Sequence, residues 1–185
     1  MSLSELAEDR LNEAVVHQIL VVEDEPDAAA ALKSLLEHAG YNVTVARDGG
    51  QAHSYFVMRK PDFVILDLML PGASGYEICE RLKHTEPGVP VLIVSAIELE
   101  ESRDLAQRVG CDGYMTKPYD PEALLKIIPE VADRVWHRLH QAAARENRVR
   151  FSCICGRKFK VSPAHRGKTI TCPDCGEVVQ VPRYE

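Results

Sequence analysis

No stretch of this 185-residue chain approaches the ~20 consecutive apolar residues of a membrane-spanning helix, and runs such as 63–66 and 91–94 fall far short. The first ten residues include Glu5, Glu8 and Asp9 and no apolar block, so they lack the pattern of a secretory signal. Low-complexity tracts and long internal repeats are missing too. With 45% apolar and 27% charged residues the chain can bury a core, which excludes wholesale disorder. These absences point to a soluble protein, expected in the cytoplasm, with no membrane partner. Its length allows one large domain, or one ordinary domain plus a small one.

The net charge of −6 conceals two halves of opposite sign. Residues 133–185 carry +6 and the residues before them −12, which suggests two modules with different partners. The cysteines divide in the same way. Cys79 and Cys111 stand alone and read as small buried hydrophobes, whereas Cys153, Cys155, Cys172 and Cys175 cluster near the end. In a chain with no export signal such a cluster reads as a metal site before disulfides.

Between residues 18 and 128 strand and helix patterns alternate five times. Apolar strands are expected at 19–22, 63–66 and 91–94, with a period-two strand at 41–46 and a short one at 113–115. Helical stretches fall at 28–38, 50–58, 75–83, 100–109 and 121–128, punctuated by Gly40, Pro61, the Pro71-Gly72 turn and Gly110. The pattern predicts an α/β fold, a doubly wound five-stranded parallel sheet covered on both faces, with its active crevice beyond the carboxyl ends of the strands. Pro129 suits the first turn of a new helix, and an amphipathic stripe then continues to about residue 148. The organisation expected is a helical extension over 1–17, a main domain over 18–128, a connecting helix over 129–150 and a small metal module over 151–185.

Chemistry concentrates at the strand ends. Glu23 and Asp24 follow the first strand and Asp67 the third, neighbours across the switch point of such a sheet. Anions packed together call for a shared cation, and hard oxygen donors suit Mg²⁺. Ser95 follows the fourth strand, and Lys117 and Pro118 follow the fifth. An attacking Asp, a metal site, a lysine and a hydroxyl are the parts that phosphoryl transfer to a carboxylate requires. A dehalogenase-type phosphatase needs a second acid two residues after its nucleophile; Met69 stands there, which excludes that reading.

Residues 18–128 resemble a receiver domain of a two-component response regulator. The resemblance is carried by Ile19-Leu20-Val21-Val22-Glu23-Asp24-Glu25, by Val64-Ile65-Leu66-Asp67-Leu68-Met69-Leu70-Pro71-Gly72, by Val91-Leu92-Ile93-Val94-Ser95-Ala96 and by Thr116-Lys117-Pro118-Tyr119. It implies the flavodoxin-like strand order 2-1-3-4-5, and Asp67 as a phosphoacceptor fed by a sensor histidine kinase or phosphotransfer protein. It implies Asp24, Asp67 and the Met69 carbonyl as Mg²⁺ ligands, with Glu23 acting through water. It further implies Ser95 and Lys117 as the phosphoryl-sensing pair, Tyr114 as an aromatic rotamer switch, and a cis bond before Pro118. Such a protein is not an enzyme beyond its own phosphorylation and dephosphorylation. It signals, and can dimerise, through the face of its fourth helix, fifth strand and fifth helix; the 129–148 helix is a second candidate for dimerisation. The sequence departs from the commonest pattern in having Glu23 for Asp and Ser95 for Thr, both of which keep the chemistry.

The tail resembles a small zinc ribbon. Cys153-Ile154-Cys155-Gly156 and Cys172-Pro173-Asp174-Cys175-Gly176 supply four thiolates, the set of a closed structural Zn²⁺ site, although the first pair is C-x-C rather than C-x-x-C. His165 is then a surface residue. Sequence alone ranks a protein-binding output first, nucleic acid second and a passive cap third, because no helix-turn-helix or recognition helix is visible.

Overall fold

The structure is a computed structural model and describes residues 15–146 and 148–183. The expected extension over 1–17 therefore lies mostly outside the described residues. The chain divides into two compact units, Met1–Trp136 and His137–Glu185.

In the first unit β1 (Gln18–Val22), β2 (Asn42–Ala46), β3 (Phe63–Leu66), β4 (Val91–Ser95) and β5 (Gly113–Thr116) form one parallel sheet in the order β2-β1-β3-β4-β5. The helices α1 (Pro26–His38), α2 (Gly49–Arg59), α3 (Gly75–Thr85), α4 (Glu100–Arg108) and α5 (Pro121–Glu146) alternate with the strands. This is the expected doubly wound sheet. Alternation along each strand divides the core. Ile19, Val21, Phe63, Ile65, Leu92 and Val94 pack with Leu32 and Leu36 of α1 and with Leu124, Ile128 and Val131 of α5. Leu20, Val22, Val64, Leu66 and Val91 pack on the other face with Phe56 of α2 and with Ile78, Cys79 and Leu82 of α3. Both faces are covered, which is why β1, β3 and β4 read as unbroken apolar runs.

The structure departs from expectation at Pro129, which lies inside α5 rather than opening a new helix. An interior proline removes one helical hydrogen bond and costs about 3 kcal/mol. Ile128, Val131, Ala132 and Val135 on either side of it are at most 2% exposed, so packing outweighs that cost.

The second unit holds two antiparallel hairpins, β6 (Val149–Ser152) with β7 (Lys158–Val161) and β8 (Thr169–Thr171) with β9 (Val178–Gln180). A 3-10 turn at Pro163–His165 lies between them. Phe151 faces Phe159 across the first hairpin, their rings stacked 5.2 Å apart at 14°.

Candidate functional site: a strand-end carboxylate cluster and a four-cysteine centre

The ends of β1, β3, β4 and β5 bring Glu23, Asp67, Ser95 and Lys117 together. Asp67 and Glu23 are buried and Ser95 is fully so. The Lys117 ammonium donates to Asp67 Oδ2 at 2.5 Å and to Glu23 Oε2 at 2.6 Å, so one cation holds both carboxylates. Burial lowers the affinity of Lys117 for its proton, but hydrogen bonds to Asp67 and Glu23 outweigh it and hold the pKa above the ordinary value. Burial raises the Glu23 pKa, against the opposing pull of Lys117.

Backbone contacts fix these groups. The Met69 amide donates to Asp67 Oδ1 at 3.0 Å, and the Lys117 amide donates to the Ser95 carbonyl at 2.8 Å. The Lys117–Pro118 bond is cis, as the resemblance implied. Ser95 Oγ accepts from the Ile97 amide at 3.3 Å. Tyr114 is half-buried, donates to the Ile97 carbonyl at 2.6 Å and lies under the Arg103 guanidinium, 5.2 Å from the ring centre. Arg103 also donates to Thr116 Oγ1 at 3.0 Å, which links α4 to β5.

Two features here escape the sequence. One is the pairing of Lys117 with Glu23, 94 positions apart. The other is Gly75, where a Cβ atom would lie 2.3 Å from the Asp67 carbonyl oxygen and 2.6 Å from Leu68 Cα. The helix start passes so close to the end of β3 that only glycine fits. Asp24 is half-buried and Met69 is 63% exposed. Among the described residues the three carboxylates do not draw together as tightly as the four thiols of the second unit do. The donor set of three carboxylates, two of them the buried Glu23 and Asp67, nevertheless fits a hard divalent cation.

In that second unit, Cys153, Cys155, Cys172 and Cys175 place their sulfurs within 4.8 Å of one another, with Cys153–Cys175 at 3.5 Å and Cys155–Cys172 at 3.7 Å. A tetrahedral ion with metal–sulfur bonds of ~2.3 Å sets sulfurs ~3.8 Å apart, so the four fit one such ion. Each pair sits on a hairpin tip. The Gly156 amide donates to the Cys153 carbonyl at 2.9 Å and the Gly176 amide to the Cys172 carbonyl at 2.8 Å, and both glycines have positive φ, 92° and 75°. The register leaves residues 153–157 in the first loop and 172–177 in the second. The C-x-C pair is thus accommodated by a loop one residue shorter. Burial opposes ionisation of Cys172, but hydrogen bonds from the Asp174 and Cys175 amides and from the Cys175 and Cys155 side chains prevail and bring its pKa down to about 7, which favours the thiolate. Arg157 and Asp174 form an ion pair between the two loops, a contact with no local signal in the sequence.

Comparison with known proteins agrees with this geometry. The response regulator receiver domain family matches residues 19–129. The chain is 39% identical over 118 residues to the phosphate regulon transcriptional regulatory protein PhoB of Pseudomonas aeruginosa, a match spanning 63% of this chain and 52% of that one. It is 39% identical over 148 residues to the alkaline phosphatase synthesis transcriptional regulatory protein PhoP of Bacillus subtilis, spanning 80% and 61%. Among solved structures, a CheY-like receiver domain protein from Methanospirillum hungatei superposes with a TM-score of 0.63 at 27% identity, covering 67% of this chain and 99% of that one. The BeF3-activated receiver domain of RstA from Klebsiella pneumoniae gives 0.58 at 29% identity, covering 60% and 94%. The chain belongs to the response regulator receiver family of two-component systems. It spans about half the length of the curated relatives it matches. Among the described residues no helix is long and apolar enough to cross a membrane.

Proposed function

We propose that Asp67 is the phosphoacceptor of this receiver. The observation that carries the reading is the single Lys117 ammonium held at 2.5 Å from Asp67 and 2.6 Å from Glu23. An Asp67 oxygen attacks the phosphorus of a phosphohistidine on a histidine kinase or phosphotransfer protein; the P–N bond breaks and the imidazole leaves with a proton. Lys117, already beside the nucleophile, stabilises charge on the transferred oxygens, and the Ser95 hydroxyl holds one of them. Asp24, Asp67 and the Met69 carbonyl, with Glu23 through water, would hold Mg²⁺. When bound, that ion neutralises charge on the phosphoryl group. Tyr114 then follows Ser95 inward and changes the α4–β5–α5 face, which carries the signal and is a candidate homodimer surface. The four cysteines hold a structural Zn²⁺. Incubation with Mg²⁺ and acetyl phosphate should add one phosphoryl group by intact mass, and Asp67→Asn should add none. Acid-labile phosphate retained by that variant would place the acceptor elsewhere.

A further inference from the structure

The two hairpins of the second unit have the same plan but different outer faces. In each, alternate residues point inward: Val149, Phe151, Phe159 and Val161 in one, Ile170 and Val179 in the other are buried or half-buried. On the outer face of the β8–β9 hairpin stand Thr169, Thr171, Val178 and Gln180, all neutral. On that of β6–β7 stand Arg150, Ser152, Lys158 and Lys160, all exposed, and Arg148 continues the row. Arg150 lies directly across from Lys160, and Ser152 across from Lys158. Like charges opposed on a ladder destabilise it. No acid occurs between residues 148 and 162, and among the described residues Arg150, Lys158 and Lys160 make no side-chain hydrogen bond or ion pair. Cations serving only solubility would have no reason to collect on one face of one hairpin at a cost to its own pairing.

We infer that the outer face of the β6–β7 hairpin binds the phosphate backbone of duplex DNA. Its cations stand in two rows on a two-stranded ribbon, a shape that the ~12 Å major groove of B-DNA admits and the narrow major groove of duplex RNA does not. Contact through phosphates needs no recognition helix, so the missing helix-turn-helix does not count against it. This reverses the sequence-based ranking of protein above nucleic acid. The inference does not depend on the phosphoacceptor reading.

Four phosphate contacts, from Arg148, Arg150, Lys158 and Lys160, predict a slope of log K against log salt of about −3.6, or roughly a 100-fold loss between 50 and 200 mM. The test is fluorescence anisotropy of the 185-residue chain with a labelled 24-base-pair DNA duplex, a matching RNA duplex and a poly-glutamate peptide. The wild type should bind DNA most tightly, Lys158→Gln/Lys160→Gln should reduce the slope to about −1.8, and Lys158→Arg/Lys160→Arg should preserve it. Binding insensitive to salt, a Gln variant indistinguishable from wild type, equal affinity for duplex RNA, or equal affinity for poly-glutamate would each overturn the assignment. The last result would mark the face as a dock for an acidic protein.

Discussion

Gly75→Ala offers a test of how tightly the loop after Asp67 is built. Gly75 is the first residue of α3, behind the Ser74 cap, where alanine would ordinarily favour the helix by up to ~1 kcal/mol. Its Cβ would, however, lie 2.3 Å from the Asp67 carbonyl oxygen and 2.6 Å from Leu68 Cα, both backbone atoms that cannot rotate away. Relieving the contact requires α3 and the end of β3 to part by roughly 1 Å, a forced overpacking worth about 1–3 kcal/mol. For a domain of this size that is a fall in Tm of about 4–15 °C. Because the displaced carbonyl is that of Asp67 itself, phosphorylation should slow as well, by up to ~100-fold for a 1 Å misplacement. Two further alanines separate the causes. Gly40 has φ of 95° and open space around it, so Gly40→Ala should cost about 1–2 kcal/mol in backbone conformation and leave the phosphorylation rate alone. At Gly49 the neighbours are the flexible Ile78 Cδ1 and Cγ1 at 3.2 Å, and the loss there should be smaller than at Gly75. Thermal denaturation and acetyl phosphate uptake measure both quantities. A Gly75→Ala protein that melts within 1 °C of wild type (roughly the resolution of such curves) and takes up phosphate at the wild-type rate would refute the reasoning.

Three other outcomes are expected. The purified chain should carry one Zn²⁺, and Cys172→Ser should release it and unfold the second unit while receiver phosphorylation persists; zinc content and intact mass check both. Cys79 and Cys111, their thiol pKa values pushed by burial up to about 12 and about 11, should react with iodoacetamide at pH 8 about two to three orders of magnitude more slowly in the native chain than in urea. The aspartyl phosphate should decay slowly, because Met69 and Ile97, two residues beyond Asp67 and Ser95, cannot orient a water. Replacing Met69 by Asn and Ile97 by Glu should speed its loss about 10–100-fold, and unchanged decay would refute the gate.

The parts of the fold legible in the sequence are those whose cause is local. Continuous apolar runs mark β1, β3 and β4 because both faces of each strand are buried, and Gly40 and Gly110 mark turns because their φ values, 95° and 91°, suit glycine. Strand-end positions likewise identify Asp67, Ser95 and Lys117 as a set, since the topology converges them. What the sequence hides are relations between distant segments. Nothing near Lys117 says that it bridges Glu23 as well as Asp67. Nothing near Lys83 says that it pairs with Asp112 in the interior, or that this aspartate also accepts the Val91 amide at 3.0 Å. The continuation of α5 past Pro129 escapes for the same reason: propensity is local, but the buried contacts that override it come from the sheet.

The second unit inverts this balance. Among its described residues only Val149, Cys153, Cys172 and Val181 are buried, and two of those are metal-competent thiols. So small a core cannot offset the entropy of ordering the segment. A tetrahedral Zn²⁺, worth about 10–16 kcal/mol in comparable peptides, can. When one ion supplies most of the folding free energy, the outward positions of the hairpins carry little structural duty. Their side chains are then set by what the surface touches. The first hairpin carries Arg150 opposite Lys160, and its loop is closed by the Cys153 amide, which donates to the Arg157 carbonyl at 2.9 Å. The four clustered cysteines are therefore plain in the sequence, while the cationic face becomes visible only when the register places Arg150, Lys158 and Lys160 on one side of the hairpin.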